Sequence, residues 1–313
     1  MSAESSRELA TTQQQTTLAK RRDLEDHVVP ATNTRATLMK PLRAAGVHLI
    51  LFLIAAVSLM PLIYMVSTSL KERGTEFAYP VEWIPDPIVW SNYATAIETV
   101  ETLTFLANTM IITAATLIGG LLTASLAAYG FARMRFPGRD VLFMLMLSGM
   151  MLPFMVTMIP QFVLFRELGW INSLLPLIVP ALFGGTPFYI FLLRQFFKGL
   201  PTDLEDAAKI DGAGFFRIWW TIAMPMARPA LATVAILSIL FHWNDFLGPL
   251  IYLHTQDNWT LALGIRLFRD AYQVNFNLMM AYAVMMTIPV FAVFFAFQKY
   301  FVQGIAISGM GGR

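Results

Sequence analysis

Six long stretches of this 313-residue chain hold almost no charged side chain, and that limits its fold more than any other feature. A helix rises ~1.5 Å per residue and the hydrocarbon core of a bilayer is ~30 Å thick, so about 20 mostly apolar residues make one span. The stretches fall near residues 47–66, 104–131, 141–165, 170–193, 229–252 and 277–298. Inside lipid the backbone must satisfy its own hydrogen bonds, so each has to be helical. The expected fold class is all-α, a polytopic membrane protein with six transmembrane helices. Pro153/Pro160 and Pro176/Pro180/Pro187, with Gly184-Gly185, predict kinked or broken spans that lean on neighbours.

Charge gives the orientation. Only 13% of residues are charged, against about a quarter in soluble domains. With the N-terminus placed in the cytoplasm, seventeen Lys and Arg fall inside and five outside, namely Lys71, Arg73, Arg166, Arg266 and Arg269. Basic residues favour the inner side, so both termini are expected in the cytoplasm. The near-neutral total of +2 conceals this polarity and does not suggest a nucleic-acid partner. Residues 1–45 form a polar tail with the run Thr11-Thr12-Gln13-Gln14-Gln15-Thr16-Thr17, expected to be flexible. The first apolar run begins too late and is too long for a signal peptide, so it is read as a retained anchor. Residues 46–300 are the six-helix membrane domain and 301–313 a cytoplasmic C-terminal tail.

Much chemistry is excluded. With no Cys there is no disulfide, thiolate nucleophile or Cys-based metal site. No Gly-Lys pair occurs, so there is no P-loop for ATP, and neither an H-E-x-x-H nor a G-x-S-x-G motif is present. His27, His48, His242 and His254 lack metal-ligand spacing. The spans hold essentially one acid, Asp245, beside Asn244 and His242; an ion-coupled carrier or an intramembrane protease normally needs more. Asn244 and Asp245 either satisfy backbone near Pro249 or line a polar translocation path. Ala115-Gly119-Thr123-Ala127 and Gly120-Ala124-Ala128 recur every fourth position, a flat stripe for close helix contact within this subunit or against another.

Two outer connections are long. Lys71–Glu101 carries Tyr79, Trp83, Trp90 and Tyr93 amid prolines, which suits an aromatic belt at the interface or a docking surface. His254–Asn277 includes Thr260-Leu261-Ala262-Leu263-Gly264-Ile265, too short to span, read as re-entrant or inserted into a partner.

The connection at 194–228 reads as structured. After Pro201, Thr202 or Asp203 can cap a short helix whose first turn holds Asp203, Glu205 and Asp206. Leu204, Ala207 and Ala208 share a face, and Gly212 and Gly214 end the helix. The bulky run from Phe215 to Met224 suits the membrane surface, and Pro225 stops it. A charge-capped helix with a small apolar face, set rigidly between two spans, is a handle for a partner; a merely amphipathic surface loop is the plainer alternative.

Glu205-Asp206-Ala207-Ala208-Lys209-Ile210-Asp211-Gly212, followed by Ile222-Ala223-Met224-Pro225, resembles the EAA motif, E-A-A-x-x-x-G-(nine residues)-I-x-L-P, of permease subunits of binding-protein-dependent ABC importers. The register matches at Ala207, Ala208, Gly212, Ile222 and Pro225. Asp206 stands in place of Glu and Met224 in place of Leu, and Glu205 just before could supply the longer carboxylate. Trp83-Ile84-Pro85 with Asn92-Tyr93, Trp243-Asn244-Asp245-Phe246 with Pro249-Leu250, and Gln298-Lys299-Tyr300-Phe301-Val302-Gln303-Gly304 are similar to the MalG-like carbohydrate-uptake permeases. The resemblance implies a type I ABC importer permease fold. It implies that Asp203, Leu204, Glu205, Asp206, Ala207, Ala208, Asp211 and Gly212 form a coupling helix docking on a separate ATPase, with Ile222, Met224 and Pro225 completing the motif. The implied partners are a second permease, two ATPase subunits, an extracytoplasmic solute-binding protein, a sugar and the lipid bilayer. No cofactor is implied on this chain, since ATP and Mg would sit on the ATPases, and no catalytic role. A stand-alone ion-coupled carrier or channel is the alternative, and a membrane-embedded enzyme a more distant one.

Overall fold

The computed structural model describes the backbone of residues 34–269 and 274–309, with side chains for 45–269 and 274–298. The expected tails therefore lie outside the described residues for 1–33 and 310–313. Two compact units divide at Pro61 and Leu62. In chain order the helices are α1 (Thr34–Ser69), α2 (Ser91–Thr99), α3 (Thr102–Arg133), α4 (Arg139–Ser148), α5 (Phe154–Glu167), α6 (Leu175–Ile178), α7 (Pro187–Lys198), α8 (Asp203–Ile210), α9 (Phe215–Ile218), α10 (Arg228–Trp243), α11 (Leu247–Tyr252), α12 (Leu261–Gly264) and α13 (Phe276–Gly309). The only β pairing among the described residues is one bridge between Arg269 and Val274.

Among the described residues, four helical segments are long and apolar enough to cross a bilayer: Ala45–Ser69, Thr102–Arg133, Leu175–Lys198 and Phe276–Gln298. Two bent pairs raise the number to six if each counts as one span. α1 begins at Thr34, inside the segment expected to be a loose tail, and α13 continues to Gly309, into the expected C-terminal tail.

The prolines act where the sequence places them. The third expected span is split into Arg139–Met151 and Phe154–Glu167, which meet at 99°. Pro153 disfavours helical backbone in the residue before it, and Leu152 is extended at φ −80°, ψ 117°. Pro160, by contrast, stays inside α5. In the fourth span the chain turns between Leu182 and Pro187, with Gly184 and Gly185 at φ +97° and +62°, a region that favours glycine.

The small-residue stripe of α3 is spent inside this chain. Gly119 lies against the Leu182 side chain, and a Cβ on Gly120 would sit 3.0 Å from the Ala181 carbonyl oxygen. The Thr123 hydroxyl oxygen accepts the Gly184 N–H at 2.9 Å, while Ala124 and Ala128 are fully buried. Close approach of two backbones is what such a stripe permits.

The fifth expected span is not one helix. α10 stops at Trp243 and α11 restarts at Leu247. The Asn244 amide donates to the Leu240 carbonyl at 2.8 Å, and an Asp245 carboxylate oxygen accepts the Gly248 N–H at 3.1 Å. Short polar side chains compete with the helical ladder for backbone groups, which accounts for the break. At its other end α10 is bent by 81° from the helical run Phe215–Met226.

Two apolar cores serve the two ends of the bundle. One joins Tyr129 of α3, Leu193 and Phe197 of α7, Ile218, Trp219 and Val234. The other joins Phe105, Trp243, Leu261, Phe268, Ala281 and Tyr282. Of the two readings of Thr260–Ile265, re-entrant or inserted into a partner, this second core speaks against the latter. α12 is buried within its own chain, with the Leu261 N–H donating to the Thr109 hydroxyl at 2.9 Å and the Tyr282 hydroxyl to the Leu261 carbonyl at 3.1 Å. At the same end, the Asn172 side-chain oxygen accepts the N–H groups of His254 and Thr255, both at 3.0 Å. Lys71 and Glu76 are buried, and the Asn92 amide donates to the Ser69 and Lys71 carbonyls, while Tyr79 and Trp90 are exposed.

Candidate functional site

The 194–228 loop folds around α8. The Thr202 carbonyl accepts the N–H groups of Glu205 and Asp206, each at 2.9 Å, and opens the helix. No side chain caps it, so the expected Thr202 or Asp203 side-chain cap is not formed. Three acids in the first turn complement the positive end of the helix instead. Gly212 ends it at φ +79°. The Ala213 N–H reaches the Ala208 carbonyl at 2.9 Å and the Gly212 N–H reaches that of Lys209 at 3.0 Å. That pair of bonds is a Schellman stop, which needs a left-handed residue where Gly212 stands.

α8 presents two unlike faces. Asp203, Leu204, Asp206, Ala207, Ile210 and Asp211 are exposed, Ile210 at 87% and Leu204 at 49%. Exposed Lys209 pairs with Asp206 at 2.8 Å. Ala208, expected to share a face with Leu204 and Ala207, is turned partly inward and packs on the first core with Ala213 and Phe215.

The structure separates the two acids: Glu205 is only 5% exposed, and its carboxylate meets the Arg133 guanidinium at 2.9 Å. It is therefore not presented on the open face, where Asp206 stands exposed. Arg133 also donates to the Leu200 carbonyl at 2.6 Å. A second arginine, Arg194, is buried nearby. It donates to the Phe131 carbonyl at 3.2 Å and to Asp140 at 3.4 Å, with its guanidinium 3.9 Å from the Phe143 ring centre. Sequence reasoning missed both arginines as site residues. The available signal was chemical: an acid on the inner face of a short helix needs a cation, and the end of a span is where one can reach it.

The second half of the motif lies in the helical run that connects α8 to α10. Ile222 and Met224 are half-buried against the first core, and Pro225 is exposed. Residues Trp219–Ala223 form a π-helical turn. Pro225 has no N–H to give to the preceding turn, which suits a local change of helical pitch. The aromatic run that suits the membrane surface is two-sided, with Ile218 and Trp219 buried and Phe216 and Trp220 exposed. Asn244 and Asp245 lie at the far end of α10 from this loop, engaged with backbone as described, Asn244 exposed and Asp245 half-buried.

The family model "Binding-protein-dependent transport system inner membrane component" matches residues 120–307. The diacetylchitobiose uptake system permease protein NgcG of Streptomyces coelicolor is 33% identical over 82% of this chain and 85% of that protein. The melibiose/raffinose/stachyose import permease protein MelC of Bacillus subtilis is 31% identical over 89% of this chain and 100% of that protein. The arabinooligosaccharides transport system permease protein AraQ of Halalkalibacterium halodurans is 36% identical over 67% of this chain and 74% of that protein. Among solved structures, a chain of a bacterial ABC transporter that imports the acidic polysaccharide alginate is similar at a TM-score of 0.73 and 26% identity, covering 87% of this chain and 100% of that one. The architecture is thus that of ABC importer permeases, and a helix pinned at its back and open at its front sits within the matched region. The chain belongs to the family of inner membrane components of binding-protein-dependent transport systems.

Proposed function

We propose that this chain is the permease subunit of an ATP-driven importer for a sugar or oligosaccharide, and that α8 is its contact with a separate ATPase. The observation that carries the reading is the face of α8. Leu204, Ala207 and Ile210 lie open to solvent among Asp203, Asp206 and Asp211, on a helix whose other side is fixed to the bundle. Such a face suits a cleft with apolar walls and basic edges. The names of the three relatives given above, each of a permease for a sugar or oligosaccharide, support the substrate class.

On this reading the basic residues keep both termini and the 194–228 loop in the cytoplasm. ATP and Mg are held by the ATPases, whose closure displaces α8 and the matching helix of a second permease. The bundle then turns from inward-facing to outward-facing, and a loaded binding protein delivers solute over Lys71–Glu101 and His254–Asn277. Exposed Asn244 and half-buried Asp245 line the path from the break between α10 and α11.

Affinity purification of the chain from its native membrane in mild detergent is expected to bring an ATPase and a second permease with it. Solute uptake by liposomes holding this chain alone, driven by an ion gradient, would overturn the reading.

Gly212 separates backbone from bulk. Nothing lies within 4 Å of where its Cβ would be, so only the left-handed backbone resists a side chain. Gly212→Val should lose ATP-driven uptake, because the strain of about 1–2 kcal/mol acts on the turn that fixes α8. Gly212→Asn should keep most of it, since Asn tolerates this conformation. Uptake in membrane vesicles gives the order directly, and a Val variant as active as the Asn variant would contradict it.

A further inference from the structure

We propose that Arg133 is a positioning residue for α8: its ion pair with Glu205 ties the helix to the end of the second span, so that a docking partner meets one pose and a push on α8 reaches α3. The proposal rests on the reading of α8 as the docking element.

α8 has eight residues, far fewer than the ~12–15 at which an isolated helix becomes even marginally stable in water. Its inward face offers little apolar area to fix it, with only Ala208 on the helix and Ala213 and Phe215 beyond the stop. Polar contacts set the pose instead. Arg133 grips the loop twice, at the Leu200 carbonyl before Pro201 and at the Glu205 carboxylate inside α8, so the two sides of the proline turn are held by one side chain. One helical turn earlier on α3, the Tyr129 ring packs against Phe197 ahead of α8 and Phe215 behind it, at 5.4 and 4.9 Å between centres. Between them, the Phe131 carbonyl accepts Arg194. The last turns of α3 thus hold the loop at five points from residue 194 to 215. α3 itself packs along α7 and α10, so a load on Arg133 falls on the centre of the bundle. A desolvated ion pair adds little net stability compared with apolar residues of the same volume, yet an unpaired Glu205 would be driven to water and carry α8 with it. The pair therefore acts on pose more than on stability.

The chain has no native cysteine, so a nitroxide on Ile210→Cys reports α8 without background, and one on exposed Ile118→Cys reports α3. In full-length chain in nanodiscs, Arg133→Met and Glu205→Gln should each narrow the spectrum at 210 and leave that at 118 unchanged. In the assembled complex, each should weaken ATPase binding about tenfold, because apparent affinity falls with the fraction of α8 in the docking pose. The double variant should be no worse than either single one, as expected for partners in one interaction, and Arg133→Lys should restore most of both readouts. An unchanged spectrum at 210, equal loosening at 118, or additive losses in the double variant would each overturn the positioning role. If no ATPase accompanies the unaltered chain, the importer reading fails, while the spectra still decide whether Arg133 positions α8.

Discussion

Ala207→Trp should abolish ATP-driven uptake and ATPase association while the protein still inserts and keeps its helices. Ala207 is exposed on the open face of α8, between Leu204 and Ile210. The helix itself gives up only about 0.5 kcal/mol or so of propensity in exchanging Ala for Trp at such a position. A cleft shaped to admit a methyl group has to exclude an indole, since well-packed interfaces match protein interiors in density. The neighbouring position supplies the control. Ala208 is turned toward the first core, so Ala208→Trp should lower the thermal stability of the chain itself by overpacking, about 1–3 kcal/mol or more. Uptake, pull-down of the ATPase and thermal unfolding in detergent, measured on both variants, separate a lost contact from a damaged fold. Normal uptake by Ala207→Trp would sink the docking role of α8.

The largest structural effect is expected at Gly264→Val. Gly264 has ordinary helical backbone, φ −58°, ψ −25°, so glycine is there for space alone. A Cβ would stand 2.6 Å from a Phe105 ring carbon and 2.8 Å from the Tyr282 hydroxyl, and both of those side chains are fully buried. Tyr282 is further tethered to the Leu261 carbonyl, so it cannot yield without breaking a buried hydrogen bond. Even Ala should cost about 1–3 kcal/mol, and branched Val more, by forcing α12 away from α3 and α13. Gly149→Ala, with nothing within 4 Å and helical backbone, should change the midpoint of unfolding little. Shrinking the obstacle with Phe105→Leu should recover part of the loss at Gly264→Ala. If both glycine variants melt like the parent chain, the packing of α12 against Phe105 and Tyr282 is not as described.

How much was legible depended on how local the cause was. The split of the third span follows from Pro153 acting on the residue before it, and the stop of α8 from the need for a left-handed residue at Gly212; both are visible in one or two residues. The break after Trp243 was half legible. Asn244, Asp245 and Pro249 are evident in the sequence, but whether the polar side chains would turn to backbone or to a path depends on which groups lie within reach. Which of the two readings of Thr260–Ile265 holds could not be settled from the sequence. An apolar stretch of that length looks alike whether a partner or its own bundle covers it, and the Thr109 and Tyr282 hydroxyls that claim its backbone are distant in the chain. The stripe on α3 announced close packing without naming its partner.

By itself the sequence determined that the chain is helical and membrane-embedded, and that one short acidic helix follows the fourth long apolar stretch. Those conclusions rest on hydrocarbon thickness, backbone hydrogen bonding and residue spacing, which act over one or a few helical turns. The tertiary structure alone decided which acid of that helix faces outward. Glu205 and Asp206 are adjacent and chemically alike, and no local rule separates them. What separates them is Arg133, more than seventy residues earlier in the chain, because a buried carboxylate goes where a cation can neutralise it and the remaining acid is left for the surface.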